Sequence, residues 1–265
     1  MDSSKTGVFC VPVFCIITGA SRGIGRAIAV QLSQKVGEKS QMVITARNTQ
    51  CLAETKRLIE CVSPAVSVKI VAGDLGNSAD LKTLIGSIFN DVEPAGFQHA
   101  VLVHNAGTLG DISQKICEIS DAEQLQKCNF ENVTSAHLIT ARFLTVFTNF
   151  QCRRRTVVQI SSLAAVKPFA TWSMYCVAKA ARDMLFGVLA QEDTSVRVLS
   201  YAPGPINTDM LHKIATETGD DSVRNMMMKL FKEGNAVKVE DTVAKLLTIL
   251  ERDEFISGAH IDYYD

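Results

Sequence analysis

Short apolar segments alternate with helical patterns along the whole chain, and this alternation limits its possible folds more than any other feature. The first apolar segment, Val8–Ile17, carries no charged residue and is followed at once by a glycine-rich turn and a helical pattern. Strands that are apolar along their whole length are typical of parallel sheets covered by helices on both faces. The alternation therefore predicts an α/β fold built around such a sheet.

The individual elements follow from the same patterns. The predicted strands are Val8–Ile17, Gln41–Ala46, Val66–Ala72, His99–His104, Thr156–Ile160, Val196–Tyr201 and Ala259–Asp262. The predicted helices are Ile24–Lys35, Gln50–Cys61, Ala79–Asp91, Ser120–Asn149, Trp172–Ala190 and Val239–Leu250. Together they predict a single domain over residues 1–265, a Rossmann-type doubly wound parallel sheet of about seven strands. Ligands of such sheets bind outside the carboxyl ends of the strands.

The composition is that of an ordinary soluble protein, with 47% apolar residues, 21% charged residues and a net charge of −1. It offers no broad basic field for nucleic acid, and the run Arg153-Arg154-Arg155 is predicted to be a solvated loop. None of the eight cysteines forms a Cys-x-x-Cys pair, so we expect no metal site. Without a signal peptide or a segment that could span a membrane, the chain is expected to be cytoplasmic, with reduced thiols.

A glycine-rich turn joins the first strand to the first helix. Its glycines, Gly19, Gly23 and Gly25, would allow a tight turn, a close approach of backbone amides to a pyrophosphate, and close packing of the helix on the sheet. The spacing differs from the commoner G-x-G-x-x-G fingerprint, and a plain turn is the alternative. The residues predicted to bind a dinucleotide here are Gly19, Ala20, Ser21, Arg22, Gly23, Ile24 and Gly25.

The end of the second strand bears on which dinucleotide is bound. An acidic residue there would hydrogen-bond a ribose 2′-hydroxyl and repel a 2′-phosphate, but this chain has Arg47 and Asn48. Arg47 and Arg22 are suited to binding a phosphate, which predicts NADP(H) rather than NAD(H). Two arginines that are simply at the surface are the alternative.

The ends of the third and fourth strands carry further candidates. After the third strand, Asp74 with Leu75 is predicted to contact adenine, although Asp74 is equally suited to cap the following helix. After the fourth strand, the small residues Asn105, Ala106 and Gly107 would let the cofactor ribose lie against backbone. His104 closes an apolar strand, and we interpret it as a structural histidine.

Tyr175 and Lys179 lie four positions apart, which places them on one face of a helix. An ammonium close to a phenol favours the phenolate, so we expect Lys179 to lower the pKa of Tyr175 toward neutral. A phenol tuned in this way can exchange a proton with a substrate oxygen, and a serine from the nearby strand end, Ser161 or Ser162, could hold that oxygen. A buried helix that happens to contain Tyr and Lys is the alternative.

These motifs together resemble those of the short-chain dehydrogenase/reductase family, across essentially the whole chain. The matching residues are Thr-Gly-x-x-x-Gly-x-Gly at 18–25, Asn-Ala-Gly at 105–107, Ser162, Tyr175-x-x-x-Lys179 and Pro203-Gly204. The resemblance implies that Ser162 binds a substrate carbonyl, Tyr175 transfers the proton and Lys179 holds the nicotinamide ribose. It also implies that Asn132 orders a water of a proton relay. The family usually has Asn-Asn-Ala-Gly, and His104 departs from that pattern.

The resemblance also implies that the segment after the sixth strand contacts the cofactor and continues into a substrate lid over Ile206–Asn235. The cofactor contacts implied there are Pro203, Gly204, Ile206, Asn207, Thr208, Asp209, Met210 and Leu211. Within the lid, Met226-Met227-Met228 could face the substrate or merely pack.

Within the family, the segments 175–186, 201–205 and 257–265 are similar to those of members that reduce side-chain carbonyls of pterins with NADPH. This similarity implies a pterin substrate bound by Ser162, Tyr175, Gly204 and Asp262, with Asp262 taking two N–H bonds from the pterin edge. It also implies a homodimer packed through the helices after strands four and five.

Several alternatives to this activity stay open. Without the resemblance, Asp262 would be read as a solvated acid near a chain end. Another NADPH-dependent carbonyl reductase and a non-catalytic NADP-binding regulator are the rival functions. A serine hydrolase is disfavoured because Ser162 lies in no G-x-S-x-G turn.

Overall fold

Seven strands form one parallel sheet in the computed structural model, which describes residues 7–265. The strands are β1 (Val13–Thr18), β2 (Gln41–Ala46), β3 (Ser67–Ala72), β4 (His99–His104), β5 (Arg154–Ile160), β6 (Val196–Ala202) and β7 (Ala259–Asp262). Their order across the sheet is β3-β2-β1-β4-β5-β6-β7, and all neighbouring strands are parallel. The strand order reverses between β1 and β4, which opens a crevice at their carboxyl ends. The predicted fold class is confirmed.

Helices cover both faces of the sheet. They are α1 (Gly23–Ser33), α2 (Thr49–Val62), α3 (Leu81–Phe89), α4 (Ala122–Asn129), α5 (Ser135–Val146), α6 (Ser173–Glu192), α7 (Asp209–Glu217), α8 (Asp221–Lys232) and α9 (Val239–Arg252). One hydrophobic cluster packs α1, α2 and α9 against one face, and a second packs α3, α5 and α6 against the other. A doubly covered sheet is the arrangement that the unbroken apolar strands predicted.

The central strands show how the sequence determines this packing. Every residue of β1 is buried, and its side chains alternate between the two hydrophobic clusters. Cys15 and Ile17 contribute to the cluster under α1, whereas Phe14 and Ile16 contribute to the cluster under α5. Both faces therefore need apolar residues, and an alternating polar pattern would not fold in this way.

Two predicted boundaries differ from those in the structure. The first strand begins at Val13 rather than Val8, because Pro12 has no amide hydrogen to donate and residues 7–11 form turns before it. The predicted helix Ser120–Asn149 is confirmed in its middle, but its two parts, α4 and α5, are joined by a π-helical turn at Phe130–Thr134.

Two other segments are more ordered than predicted. The prediction of a solvated loop at Arg153-Arg154-Arg155 is wrong, because β5 begins at Arg154. The guanidinium of Arg155 is buried against Asp193 and the carbonyl of Phe147, which offsets the cost of burying its charge. The lid over 206–235 contains two helices, α7 and α8, that the polar composition did not indicate.

Candidate functional site

The candidate site residues lie along one edge of the sheet, where β1 to β7 reach their carboxyl ends. At the crevice, Asn105 fastens the glycine turn to the end of β4. Its side-chain amide donates to the carbonyls of Thr18 and Gly19, at 3.0 Å each. The hydroxyl of Thr18 in turn accepts from the backbone amides of Asn105 and Ala106, at 3.1 Å each. Asn105 therefore holds two candidate cofactor-binding segments together.

The glycine turn leaves room for an anion in front of α1. Gly23 has a φ of +53°, and a Cβ placed there would meet only the methyl of Thr208, at 3.7 Å. Arg22, the N-cap residue of α1, makes no side-chain capping bond to any residue that the structure describes. The first amides of α1 therefore have no side-chain cap, which is the arrangement that a pyrophosphate requires. The local geometry fits a dinucleotide.

The two arginines predicted to bind a phosphate are both exposed. Arg22 forms an ion pair with Asp209, the first residue of α7, so the glycine turn and the lid are joined by opposite charges. Arg47 faces the half-buried Glu131 of the π-helical turn, whose pKa is raised by burial while the charge of Arg47 opposes the rise. Glu131 was not identified from the sequence, because its position facing the end of β2 depends on tertiary structure.

Asp74 lies close to Glu131, and its carboxylate accepts from the amide of Gly76 at 2.9 Å. Because Asp80 is the N-cap residue of α3, the alternative role of Asp74 as a cap of that helix is wrong. At the same edge, the hydroxyl of Thr45 is buried and has no partner among residues 7–265. A buried polar group without a partner is costly, so this end of β2 is suited to a ligand with polar atoms.

Ser162, Tyr175 and Lys179 come together where β5 ends and α6 begins. The phenol of Tyr175 is hydrogen-bonded to the hydroxyl of Ser162, which also accepts from the amide of Ala164 at 3.1 Å. The ammonium nitrogen of Lys179 lies 5.5 Å from the centroid of the Tyr175 ring and donates to the carbonyl of Ile160 at 2.7 Å. Ser162, rather than Ser161, is therefore the serine that contacts the phenol.

The pKa values of Tyr175 and Lys179 differ from the prediction. Burial raises the pKa of Tyr175 to about 12, and the opposing effects of the Ser162 hydrogen bond and of the Arg182 charge are smaller. Burial, helped by Arg182, also lowers the pKa of Lys179 well below its usual value. The prediction that Lys179 lowers the pKa of Tyr175 is therefore wrong here, because desolvation of a fully buried phenol outweighs the neighbouring charges.

Asn132 lies at the centre of the π-helical turn and is buried. Its side-chain oxygen accepts from the amide of Thr108 at 3.0 Å, and its side-chain nitrogen donates to the carbonyls of Thr108 and Cys128 at 3.1 and 3.0 Å. The side chain thus ties the loop after β4 to α4. A relay water would have to use the backbone that the π turn distorts, and this role stays a prediction.

The proposed pterin contacts lie at the far end of the same edge. Asp262 ends β7 beside Ala202 of β6, is half-buried, and accepts from the amide of Tyr264 at 3.0 Å. Gly204 has a φ of +77°, and a Cβ there would lie 3.5 Å from Tyr263. The loop after β6 and the C-terminal tail are therefore in contact beside Asp262.

The lid packs against the helix that carries Tyr175. A third hydrophobic cluster contains Tyr175 of α6, the N-cap residue Trp172, Leu211 of α7 and Met227 of α8. Met227 therefore packs, whereas Met226 is exposed. A movement of the lid would therefore change the packing around the phenol of Tyr175.

Three polar residues near the site, two buried and one partly buried, differ in how well the sequence revealed them. His104 hydrogen-bonds the hydroxyl of Thr140 at 2.8 Å, and burial lowers its pKa well below the usual value, in agreement with a structural histidine. Arg182 and Asp183 were missed. The spacing was a signal for Asp183, because this residue repeats the four-residue step from Tyr175 to Lys179 on the same predicted helix.

Comparisons with known proteins agree with this geometry. Residues 14–219 match the family model described as short chain dehydrogenase. Sepiapterin reductase of Rattus norvegicus is 42% identical over 252 residues, which cover 95% of this chain and 96% of the relative. Sepiapterin reductase of Bos taurus is 40% identical over 252 residues, which cover 95% of this chain and 94% of the relative. The solved structure of the KRED1-Pglu enzyme is 25% identical, with a TM-score of 0.78, and the match covers 94% of this chain and 99% of that one. Among the described residues, no helix is long and apolar enough to cross a membrane.

Proposed function

The chain belongs to the short-chain dehydrogenase family, and on this premise we propose that it reduces side-chain carbonyls of pterins with NADPH, as a sepiapterin reductase. One observation carries the proposal. The groups suited to proton donation, Ser162 and Tyr175, and the acid suited to a pterin edge, Asp262, share one edge of the sheet in a chain 42% identical to the rat enzyme over 95% of its length. The substrates would be sepiapterin and 6-pyruvoyl-tetrahydropterin, in the formation of tetrahydrobiopterin.

The residues that would hold NADPH line the crevice from the glycine turn to the lid. The uncapped amides of α1 bind the pyrophosphate, and Arg47 and Arg22 bind the 2′-phosphate. Asp74 and Leu75 face the adenine, and the loop Pro203–Leu211 covers the nicotinamide end. When bound, the nicotinamide supplies the hydride for the carbonyl carbon.

The proton side of the reaction belongs to Ser162 and Tyr175. The hydroxyl of Ser162 donates to the substrate oxygen, on which negative charge grows during reduction. The phenol of Tyr175, protonated at neutral pH, gives its proton to the same oxygen. Lys179 binds the ribose hydroxyls and, with a water ordered at Asn132, returns a proton to Tyr175.

Asp262 selects the substrate in this scheme. A pterin presents two parallel N–H donors at one edge, and a carboxylate accepts both. Small diketones lack this edge, so they would react without help from Asp262. In this scheme, Asp262 binds the pterin edge, whereas Ser162 and Tyr175 act on the carbonyl that is reduced.

We also propose that the protein is a cytoplasmic homodimer, as the family resemblance implies. Two copies would pair through α5 and α6, whose exposed apolar residues are Leu138, Val177, Met184 and Val188. One NADP-binding domain would span residues 1–265, of which 1–6 lie outside the described part. All eight cysteines are free, which supports a reducing compartment such as the cytoplasm.

Loss of NADPH absorbance with sepiapterin, against a panel of unrelated carbonyls, tests the proposal. We expect sepiapterin to give the highest kcat/KM. Asp262→Asn should raise KM for sepiapterin and leave reduction of a simple diketone largely intact, and the exposed Asp241→Asn serves as the matched control. Equal losses on both substrates would remove the anchoring role from Asp262, and failure of the unaltered protein to reduce sepiapterin would refute the function.

A further inference from the structure

Asp183 lies at the centre of a partly buried hydrogen-bond network that the reaction scheme above does not use. One carboxylate oxygen accepts from the hydroxyl of Ser161 at 2.7 Å and from the side-chain amide of Gln159. The other oxygen accepts from Nδ1 of His260 at 2.6 Å. The side chains of Asp183 and His260 are only 17% and 22% exposed, so water competes weakly for these bonds.

The orientation of Gln159 is fixed by a second buried charge. Arg182, fully buried, donates from Nε to the side-chain oxygen of Gln159 at 2.8 Å, so the amide nitrogen of Gln159 must point to Asp183. The other guanidinium nitrogens of Arg182 donate to the carbonyls of His104 and Ala106, at 2.8 and 2.9 Å. The network therefore reaches from α6 to the loop that lines the crevice.

Each bond to Asp183 comes from an element that also carries a site residue. Asp183 itself lies on α6, two turns beyond Tyr175. Ser161 precedes Ser162 in the chain, and His260 lies on β7, two residues before Asp262. The proton donor, the carbonyl-binding serine and the candidate pterin anchor thus sit on three elements joined at one carboxylate.

We propose that Asp183 is a positioning residue, which fixes β7 and its Asp262 against Ser162 and Tyr175 so that a pterin held at one end presents its carbonyl at the other. This inference rests on the proposed function. The distance between anchor and phenol matters only for a substrate that touches both, because misplacement of a reacting carbonyl costs rate and affinity. The reduction of small diketones should not depend on this distance, because they do not reach both Asp262 and Tyr175.

The strength of the bond to β7 depends on the charge of His260, because a protonated imidazole binds the Asp183 carboxylate more strongly than a neutral one. The charged groups that face its ring are all acidic, Asp183 from α6 and Asp262 and Asp265 from β7 and the tail after it. The hydrogen bond and charge of Asp183 raise the pKa of His260 above its usual value, and burial opposes the rise. The charged pair is therefore complete below the usual histidine pKa and is lost as pH rises through the raised one.

Steady-state kinetics on two substrates test the inference. Asp183→Asn should raise KM for sepiapterin by about tenfold, the loss expected for a charged hydrogen bond, and change kcat and KM for butane-2,3-dione by less than about twofold. In the unaltered protein, KM for sepiapterin should rise as pH passes through the pKa of His260. His260→Ala should hold KM high at every pH, whereas His260→Gln, a neutral donor, should give an intermediate KM without that pH dependence.

Asp193→Asn is the matched control. Asp193 also accepts from a serine and pairs with a basic side chain, but it lies at the other end of α6, away from the site. This variant should lower stability and leave both KM values unchanged. Should Asp183→Asn fail to fold, Ser161→Ala and the His260 variants carry the same test.

The outcomes separate this inference from the proposed function. A sepiapterin KM that is unaltered in the Asp183, Ser161 and His260 variants overturns the inference and leaves the function standing. Equal loss of kcat on both substrates also overturns it, because it would show a general structural role. Reduction of butane-2,3-dione without reduction of sepiapterin by the unaltered protein removes the proposed function, and the inference with it.

Discussion

A phenol whose pKa lies near 12 is protonated throughout the neutral range, so Tyr175 enters a reduction already carrying the proton that the product alcohol needs. We expect Tyr175→Phe to lower turnover about 100-fold or more while NADPH still binds, measured by rapid kinetics and by cofactor fluorescence. Tyr201→Phe is the matched control, because Tyr201 is also buried, has a pKa raised to about 12, and bonds Thr242 through its phenol. Near-native turnover of Tyr175→Phe would remove the phenol from the mechanism.

Arg47 is the residue on which the proposed preference for NADP(H) depends. Its guanidinium is exposed at the end of β2, where a 2′-phosphate is the group that separates NADPH from NADH. Arg47→Asp should raise KM for NADPH about tenfold or more and change KM for NADH much less, because the new acid repels only the phosphate. Arg57→Asp, at an exposed arginine of α2, should change neither. Equal effects on both cofactors would contradict the assignment to NADP(H).

At the scale of elements, the turn that leads into α6 contains a residue whose side chain does not suit its backbone conformation. Thr171 has a φ of +65°, a region that β-branched residues rarely adopt, and its buried hydroxyl has no partner among the described residues. It sits in the turn closed by the bond from the amide of Trp172 to the carbonyl of Phe169, directly before the helix that carries Tyr175. Strain is therefore stored beside the site.

Thr171→Gly should relieve this strain. We expect the free energy of unfolding to rise by about 1 kcal/mol in urea titrations, because glycine adopts a positive φ without steric cost and leaves no unpartnered hydroxyl. Thr171→Ala, which keeps a Cβ at the same φ, should gain less. An unfolding free energy that is unchanged or lower in the glycine variant would show that the turn is not strained.

For the whole molecule, the sequence predicted the doubly wound parallel sheet and the edge along which the candidate site residues lie, but not the order of the strands. A strand such as β1, which is apolar up to its last residue and buried throughout, favours a sheet that is covered on both faces. The sequence did not show in which direction the pKa of Tyr175 is shifted, because burial and neighbouring charges act against each other. That balance depends on how deeply the phenol is buried and on Arg182, and both are results of tertiary packing. Glu131 and the bonds of Asp183 were hidden for the same reason.

The exposed apolar residues of α6 bear on the oligomeric state of the whole molecule. Val177, Met184 and Val188 are 59%, 69% and 43% exposed, and their spacing forms one apolar stripe on α6. Contiguous exposed apolar residues on a helix are costly in water unless a partner covers them, so a second copy packed on this stripe would remove that cost. The proposed homodimer can therefore be tested by measuring the mass of the protein in solution.

Met184→Glu should shift the protein from dimer to monomer in sedimentation velocity experiments, because a carboxylate at the centre of the stripe would have to be desolvated in the interface. Val62→Glu is the control, since Val62 is 44% exposed on α2, away from the stripe. A Met184→Glu protein with the mass of the unaltered one would place any interface elsewhere. Each subunit carries its own Ser162 and Tyr175, so the monomer should keep diketone reductase activity, which separates loss of pairing from loss of fold.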